Sequence, residues 1–197
     1  AGGSLVNRAT AGIYPAGSTF KPIVAEAALA SGILTPSSIL QCTGSLRVGN
    51  IVFHNVEAGI DAPLDLEQAL AISCDTWFYR LGEQFYARQV ATGRTELQNW
   101  ARRLGFGHPT GLDVPGEIGG VVPTPAWLRR TFKTPWERIW YEGTSVNLSI
   151  GQGFLAVTPL QLAVAYSALA NGGSVVRPHV ADAVLDDART RSEAVHL

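Results

Sequence analysis

The stretch Tyr14-Pro15-Ala16-Gly17-Ser18-Thr19-Phe20-Lys21-Pro22 is the part of the sequence from which the fold is most easily predicted. Its Pro-Ala-Gly turn places Ser18 at the start of a predicted helix over residues 18–31. Pro22 is compatible with this helix because the first turn does not need its N–H group. Ser18 and Lys21 are three residues apart, so their Cβ atoms are expected to lie roughly 5–6 Å apart on one face. A serine hydroxyl beside a lysine amine is a pair that serine acyl transfer uses.

A lysine becomes a useful base when desolvation or positive neighbours lower its pKa. The chain has two lysines against thirteen arginines, so a lysine at position 21 favours a requirement for an amine that can titrate. Gly17 also allows another backbone, such as that of a substrate, to approach closely. The alternative is a serine near a helix start followed by a lysine whose stem covers apolar surface, and the short Ser-x-x-Lys pattern alone favours it.

Length and composition restrict the class of protein. At 197 residues the chain can form one domain with a substantial core, or most of one. A net charge of −1 gives no indication of nucleic acid or of an acidic surface as a partner. The chain contains no methionine, so we expect a piece of a longer protein, and no signal peptide is visible. Polar residues interrupt the most apolar stretch, 153–170, which suits a buried helix better than a membrane span.

Hydrophobic periodicity predicts many short helices and few strands. Residues 45–54 have the pattern of a hairpin that turns at Gly49-Asn50. Asp65 is a predicted helix cap with Gln68 three residues later, and Thr158 precedes the strongest helical pattern of the chain. Helices are also predicted at 66–72, 76–86, 95–104 and 127–132, irregular loops at 105–125 and 133–143, and a strand at 175–184.

A second motif, Ser73-x-Asp75, lies where one predicted helix gives way to the next, 55 residues after Ser18. Two hydroxyls and one amine around a cleft are groups that serine acyl transfer uses. Ser18 attacks, Lys21 accepts its proton, and Ser73 can relay that proton to the leaving amine. Ser-x-x-Lys together with a Ser-x-Asn type element and Lys-Thr-Gly is a signature of penicillin-binding proteins and related β-lactamases.

Further segments resemble the penicillin-binding protein transpeptidases, most closely the class B, elongation-type group known as penicillin-binding protein 2. They follow one another in the order of that family and cover nearly the whole chain. The most characteristic are Ser149-Ile150-Gly151-Gln152-Gly153 and the following Thr158-Pro159-Leu160-Gln161-Leu162-Ala163. The others are Asn7-Arg8-Ala9 before the Ser18 segment, Ser73-Cys74-Asp75-Thr76-Trp77-Phe78-Tyr79 and Gly105-Phe106-Gly107-x-Pro109-Thr110-Gly111.

The resemblance implies an α/β fold of the α+β kind, the serine β-lactamase/transpeptidase-like fold. This chain is expected to form mainly its helical part, with few short strands. Residues 1–197 are thus expected to be a partial penicillin-binding transpeptidase domain, without the N-terminal strands of the family and without its C-terminal Lys-Thr-Gly strand. Lys133-Thr134-Pro135 does not replace that element, because it lies upstream of the expected place and its proline has no N–H.

The resemblance also implies a peptidoglycan DD-transpeptidase that cross-links stem peptides in cell-wall elongation and is acylated by β-lactams. Carried over to this sequence, Ser18 is the nucleophile, Lys21 its general base and Ser73 the proton relay, and catalysis requires no cofactor. Asp75 stands where many relatives have asparagine, so it keeps an acceptor and lacks the amide donor. The implied partners are stem peptides, β-lactams and an elongation glycosyltransferase. The implied location is the extracytoplasmic face of the bacterial cytoplasmic membrane, with the parent protein anchored by an N-terminal helix outside this sequence.

Other functions use the same motifs. A β-lactam sensor domain and a class D β-lactamase also contain Ser-x-x-Lys, and no motif here decides whether the acyl-enzyme persists or is hydrolysed. The long segment 105–157 favours the transpeptidase. A non-catalytic scaffold for cell-wall proteins is a further alternative, against which the intact Ser18, Lys21 and Ser73 argue. As an isolated piece, this sequence is expected to be inactive.

Four residues between the two motifs have the side chains of a structural zinc site. They are Cys42, His54, Asp61 and Cys74, spaced Cys-x11-His-x6-Asp-x12-Cys. Some elongation-type relatives hold zinc in the same segment, and a metal beside Ser73 would fix the turn of the second motif. Three alternatives remain open, namely Cys74 as a small buried hydrophobe, a disulfide between the two cysteines, and His54 as a hairpin cap. Asn55 is also a candidate for the aligned position in place of His54.

Overall fold

The computed structural model describes residues 6–185 and 191–194. In that part, the prediction of mainly helices with few short strands is confirmed. The helices are α1 (Lys21–Ala30), α2 (Leu66–Ala71), α3 (Asp75–Thr92), α4 (Glu96–Arg103), α5 (Pro125–Thr131), α6 (Glu142–Leu148) and α7 (Pro159–Ala170), with 3₁₀ turns at Gly17–Phe20 and Trp136–Arg138. The strands are β1 (Leu40–Thr43), β2 (Ser45–Val48), β3 (Ile51–His54), β4 (Asp61–Leu64), β5 (Ala183–Leu185) and β6 (Arg191–Ala194).

Capping interactions determine where α2 and α7 begin. Asp65 and Thr158 each accept the backbone N–H three residues on, and the Gln68 and Gln161 side chains accept the N–H of the capping residue in return. The cap predicted at Asp65 and the helix start predicted at Thr158 are confirmed. Gln161 also donates to two carbonyls of the irregular loop 105–125, so α7 holds that loop in place.

Helix α7 is the buried helix expected within the apolar stretch 153–170. Its residues Val164, Ala165 and Ala168 lie in the interior of the protein. Among the helices in the described ranges, none combines the length and the hydropathy that a bilayer-spanning segment requires.

Helix α1 lies in the centre of the core and packs against α3 and α4. Its core-facing stripe is fully buried at four positions and partly buried at Leu29. The fully buried members are Ile23, Val24, Ala27 and Ala28. Phe20, just before the helix, contacts Phe106 edge to face with ring centroids 5.6 Å apart. Burial of a side chain of this size contributes ~1.5–3 kcal/mol, so the core stabilises the helix that carries Lys21.

Helix α3 is longer than predicted. It packs against α6, a helix that the sequence pattern did not predict. The α3 side chains Trp77 and Phe78 are fully buried in the core. Gly82 lies against α6, where an added Cβ would be 2.7 Å from the Cα of Val146. The sequence of α6 contains glycine and threonine, which are weak helix formers. Close packing against α3 therefore stabilises α6 more than its own propensity does.

The strands in the described part form three separate antiparallel pairs, β1–β4, β2–β3 and β5–β6. The β2–β3 hairpin turns at Gly49-Asn50, as predicted, and Gly49 has a φ of 57°. The strand predicted at 175–184 is wrong for most of that range, because only Ala183–Leu185 is extended in a ladder. Asp113 accepts the N–H groups of residues 180–181, which are therefore unavailable for strand pairing.

Candidate active site

Ser18 lies in the 3₁₀ turn Gly17–Phe20, which continues directly into α1. The helix predicted over 18–31 therefore begins with a tighter turn. The Gly17 N–H donates to the carbonyl of Gly151 at 2.9 Å. An added Cβ on Gly151 would lie 2.2 Å from the Gly17 carbonyl oxygen, so this approach requires glycine. The side chain of Ser18 stays exposed, which leaves its hydroxyl accessible to a substrate.

Lys21 is almost fully buried, with 1% of its side chain exposed. Within the described part of the chain, its Nζ makes three hydrogen bonds, and all of them reach the second motif. They go to the Ser73 carbonyl at 2.7 Å, to Ser73 Oγ at 3.0 Å and to Asp75 Oδ1 at 2.6 Å. Burial lowers the pKa of Lys21 below its ordinary value, and the hydrogen bond and charge of Asp75 oppose this lowering. The neutral amine is consequently easier to form here than on the surface.

Ser73 connects the two motifs. Its Oγ donates to Ser18 Oγ at 2.9 Å and accepts from Lys21 Nζ at 3.0 Å. The sequence predicted a direct pair of Ser18 and Lys21 along one helix face, whereas the structure connects them through Ser73. When the hydroxyl hydrogens rotate to the opposite orientation, the same path can carry a proton from Ser18 to the Lys21 amine.

Asp75 is the first residue of α3, where the helix dipole favours a carboxylate. Its side chain is 13% exposed and accepts from Lys21, so one of its oxygen atoms is engaged inside the protein. One turn further along α3, burial and then the negative charge of Asp75 raise the pKa of Tyr79 to about 12. The structure thus brings together the four residues predicted for catalysis, Ser18, Lys21, Ser73 and Asp75.

Cys42 and Cys74 form a disulfide, with Cα atoms 6.2 Å apart. Zinc is bound by thiolates, so sulfur atoms that are joined in a disulfide are not available as its ligands. The predicted zinc set of Cys42, His54, Asp61 and Cys74 is therefore corrected, and the disulfide is the alternative that the structure contains. Within residues 6–185 and 191–194, no group of three or more His, Cys, Asp or Glu side chains is arranged to hold a metal ion.

The other two residues of the predicted zinc set are engaged elsewhere. His54 is exposed at the end of β3, and its carbonyl accepts from the Tyr79 hydroxyl at 3.4 Å. Asp61 begins β4 and accepts from the Gln41 side chain at 2.5 Å. Asn55, rather than His54, faces the two sulfur atoms. Neighbouring residues of an extended chain point to opposite sides, which explains why only one of the two points inward.

We predict that the chain prepared without reductant has no reactive thiol. The two cysteines are separated by 32 positions, and closure of a loop of that size corresponds to ~3–4 kcal/mol of unfolding free energy. Thiol titration in denaturant tests the first expectation, and denaturant unfolding of a Cys42→Ala/Cys74→Ala variant tests the second. Two reactive thiols together with one bound zinc ion per chain would contradict the disulfide and restore the metal site.

The described part of the chain also contains a cavity of about 570 Å³, and Ser18, Lys21, Ser73 and Asp75 are not among the residues that line it. It is bordered by the tip of the β2–β3 hairpin, the start of α6 and Gly153-Phe154, which follow the Gly151 turn that contacts Gly17. Its walls combine apolar and polar side chains, among them Ile51, Phe53, Tyr141, Glu142 and Asn147. In the described part of the chain, the side chains of Glu142 and Asn147 make no hydrogen bond, so they are available to a ligand.

Known proteins resemble this chain along nearly all of its length. A family model described as the penicillin binding protein transpeptidase domain matches residues 2–196. The peptidoglycan D,D-transpeptidase MrdA of Acinetobacter baumannii is 38% identical over 178 residues, which are 89% of this chain and 25% of that protein. The chain therefore spans about a quarter of the length of this curated relative.

Solved structures share the fold. The crystal structure of PBP2 from Pseudomonas aeruginosa in complex with WCK 5153 has a TM-score of 0.80 and 35% identity, covering 98% of this chain and 42% of that one. Another solved structure concerns the structural coordination of polymerization and crosslinking by a peptidoglycan synthase complex. One of its chains matches with a TM-score of 0.78 and 36% identity, and the match covers 91% of this chain and 29% of that one. Because the family model matches nearly the whole chain and the relative and solved structures agree with it, the chain belongs to the penicillin-binding protein transpeptidase family.

Proposed function

We propose that the protein is a peptidoglycan DD-transpeptidase, a serine acyl transferase that cross-links stem peptides during cell-wall elongation. The observation that carries this proposal is the hydrogen-bond path from Ser18 Oγ through Ser73 Oγ to Lys21 Nζ. The path joins an exposed hydroxyl to a buried amine, which is how a weak serine nucleophile is activated. The D,D-transpeptidase name of the A. baumannii relative supports the same reaction.

The first half-reaction transfers an acyl group to Ser18. Its Oγ attacks the carbonyl carbon between the two terminal D-alanines of a donor stem peptide, and its proton passes through Ser73 to the neutral Lys21 amine. The tetrahedral intermediate then collapses as the C–N bond breaks. The departing D-alanine amine takes the proton back from Lys21 through Ser73, which leaves an ester on Ser18.

The second half-reaction forms the cross-link. The amine of an acceptor stem peptide attacks the ester carbonyl and gives a proton to Lys21 through Ser73. The ester C–O bond breaks, and the proton returns to Ser18 Oγ, so that one amide has replaced another. A β-lactam follows the first half-reaction when its ring amide is opened, and it leaves a longer-lived ester on Ser18.

Asp75 sets the protonation balance of the base in this proposal. Burial favours the neutral form of Lys21, while the contact with Asp75 at 2.6 Å favours the protonated form. The amine needs both forms, because it accepts a proton in the attack and returns it when the leaving group departs. The same contact holds Nζ beside Ser73.

We further propose that the cavity between the β2–β3 hairpin, the start of α6 and Gly153-Phe154 binds part of a stem peptide. Its apolar walls suit aliphatic side chains, and the side chains of Glu142 and Asn147 suit peptide N–H groups. The protein is proposed to act on the extracytoplasmic face of the cytoplasmic membrane. The Cys42–Cys74 disulfide supports this location, since disulfides persist in oxidising compartments. The similarity to a chain of a peptidoglycan synthase complex supports a glycosyltransferase partner.

The decisive experiment is intact-mass analysis after incubation of the full-length protein with a penicillin. We expect one stable adduct, located on Ser18 by peptide mapping and absent from the Ser18→Ala variant. Rapid loss of the adduct with release of hydrolysed penicillin would instead identify a β-lactamase. Absence of any adduct from a folded full-length protein would favour the non-catalytic scaffold.

A further inference from the structure

The side chain of Asn55 hydrogen-bonds the backbone of the second motif at Asp75. It is buried, with 9% of its surface exposed. Its Oδ1 accepts the backbone N–H of Asp75 at 3.1 Å and that of Val56 at 3.0 Å. Its Nδ2 donates to the sulfur atoms of Cys42 and Cys74, at 3.5 Å and 3.7 Å. All the hydrogen-bonding atoms of this side chain are therefore engaged.

The backbone of Asn55 is itself anchored. Its N–H donates to the carbonyl of Gly44 at 2.9 Å, directly before the β2–β3 hairpin. Gly44 in turn lies so close to Ala58 that an added Cβ would be 1.9 Å from the Ala58 carbonyl oxygen. The amide of Asn55 thus extends from a fixed point of the hairpin to the start of α3.

The turn that Asn55 supports has a backbone conformation that requires support. Ser73 has a φ of 55°, and in the described part of the chain it is the one residue other than glycine with a positive φ. Such a conformation is unfavourable for a residue that has a Cβ atom, and it persists only where neighbouring structure holds it. The Asp75 N–H lies two residues after Ser73, so its bond to Asn55 restrains the exit from this turn.

We propose that Asn55 is a positioning residue for the relay hydroxyl of Ser73, an inference that rests on the proposed transpeptidase function. By fixing the Asp75 backbone against the disulfide, Asn55 keeps Ser73 Oγ between Ser18 and Lys21. It contacts neither reacting hydroxyl nor the amine, so it acts through the second motif. The amide is suited to this position because it accepts from the Asp75 N–H and donates to sulfur at the same time.

The test uses Asn55→Leu, which keeps the branching of the side chain and removes both hydrogen-bonding functions. In the full-length protein we expect the maximal rate of acylation by a penicillin to fall about 100-fold, the loss that a misplacement of roughly 1 Å of a reacting group produces. The concentration of penicillin at half-maximal rate should stay unchanged, because Asn55 is buried and its polar atoms are engaged within the protein. The same substitution at the exposed Asn99 of α4 is the matched control and should leave the rate unchanged.

The deciding readout is the same substitution in a Ser73→Ala background. If Asn55 acts through Ser73, removal of both side chains slows acylation no more than Ser73→Ala alone. If Asn55→Leu slows acylation by the same factor in the Ser73→Ala background as in the wild-type protein, Asn55 has a general structural role. That result would overturn the proposal. The Asn55→Asp variant keeps the acceptor for the Asp75 N–H, so we expect a smaller loss of acylation rate than with Asn55→Leu. If the leucine variant does not fold, Asn55→Asp takes its place in the comparison with and without Ser73→Ala. The acylation rate of the wild-type protein tests the proposed transpeptidase function. The Asn55 proposal is tested separately, by the ratios of acylation rates between variants.

Discussion

Lys21→Arg is expected to abolish acylation of Ser18 by a penicillin in the full-length protein. A guanidinium group stays protonated in proteins, so it cannot accept the Ser18 proton that arrives through Ser73. The positive charge is retained and can still pair with Asp75, so the buried carboxylate is not left without a partner. The measurement is the rate of adduct formation by intact mass, with the melting temperature as the check that the variant is folded.

The matched control is the same substitution at the other lysine of the chain. Lys133 is exposed in the loop between α5 and α6, so Lys133→Arg should acylate at the wild-type rate. If Lys21→Arg formed the adduct as fast as the wild-type protein, Lys21 would not be the base.

The wild-type acylation rate should also depend on pH in a direction that follows from the burial of Lys21. Only the neutral amine accepts a proton, so the rate rises as pH increases through the pKa of this lysine. Burial lowers that pKa against the opposing effect of Asp75, so the rise should lie below the range of an ordinary lysine. The arginine variant should show no such rise. A rate that is independent of pH up to the ordinary lysine range would argue against this assignment.

Ser73→Ala is expected to slow acylation by about a hundredfold to ten-thousandfold, the range of a lost general acid–base group. The substitution breaks the path at its middle, because Ser73 Oγ bonds both Ser18 Oγ and Lys21 Nζ. The cost in stability should be small, about 0.5–1.5 kcal/mol for one hydrogen-bonding hydroxyl. Stopped-flow or quenched-flow acylation kinetics measure the rate, and thermal unfolding measures the stability.

Ser167→Ala is the matched control for this variant. Ser167 is exposed on α7 and its hydroxyl donates to the carbonyl of Ala163 in the same helix, so neither rate nor stability should change appreciably. A large fall in the melting temperature of Ser73→Ala with little change in rate would identify a structural hydroxyl instead of a relay.

Several features of the protein follow from the sequence alone because they depend on neighbours a few positions away. The Ser18-x-x-Lys21 segment, the cap at Asp65 and the turn at Gly49-Asn50 are local, and the structure contains each of them. The order of the motifs along the chain also pointed to the family, since it does not depend on how the chain folds back on itself. Helix α6 could not be predicted, because its stability comes from packing against α3 rather than from its own residues.

The connection between the two motifs depends on tertiary structure. Ser18 and Ser73 are 55 positions apart, so the sequence could name both hydroxyls without showing that one lies between the other and Lys21. The same holds for the cysteines, since composition left zinc and a disulfide open and only the folded chain places the sulfur atoms in bonding contact. Likewise, a choice between His54 and Asn55 depends on which side chain turns toward the interior. Sequence spacing does not contain that information, because the direction of a side chain after a strand depends on the partners against which the strand packs.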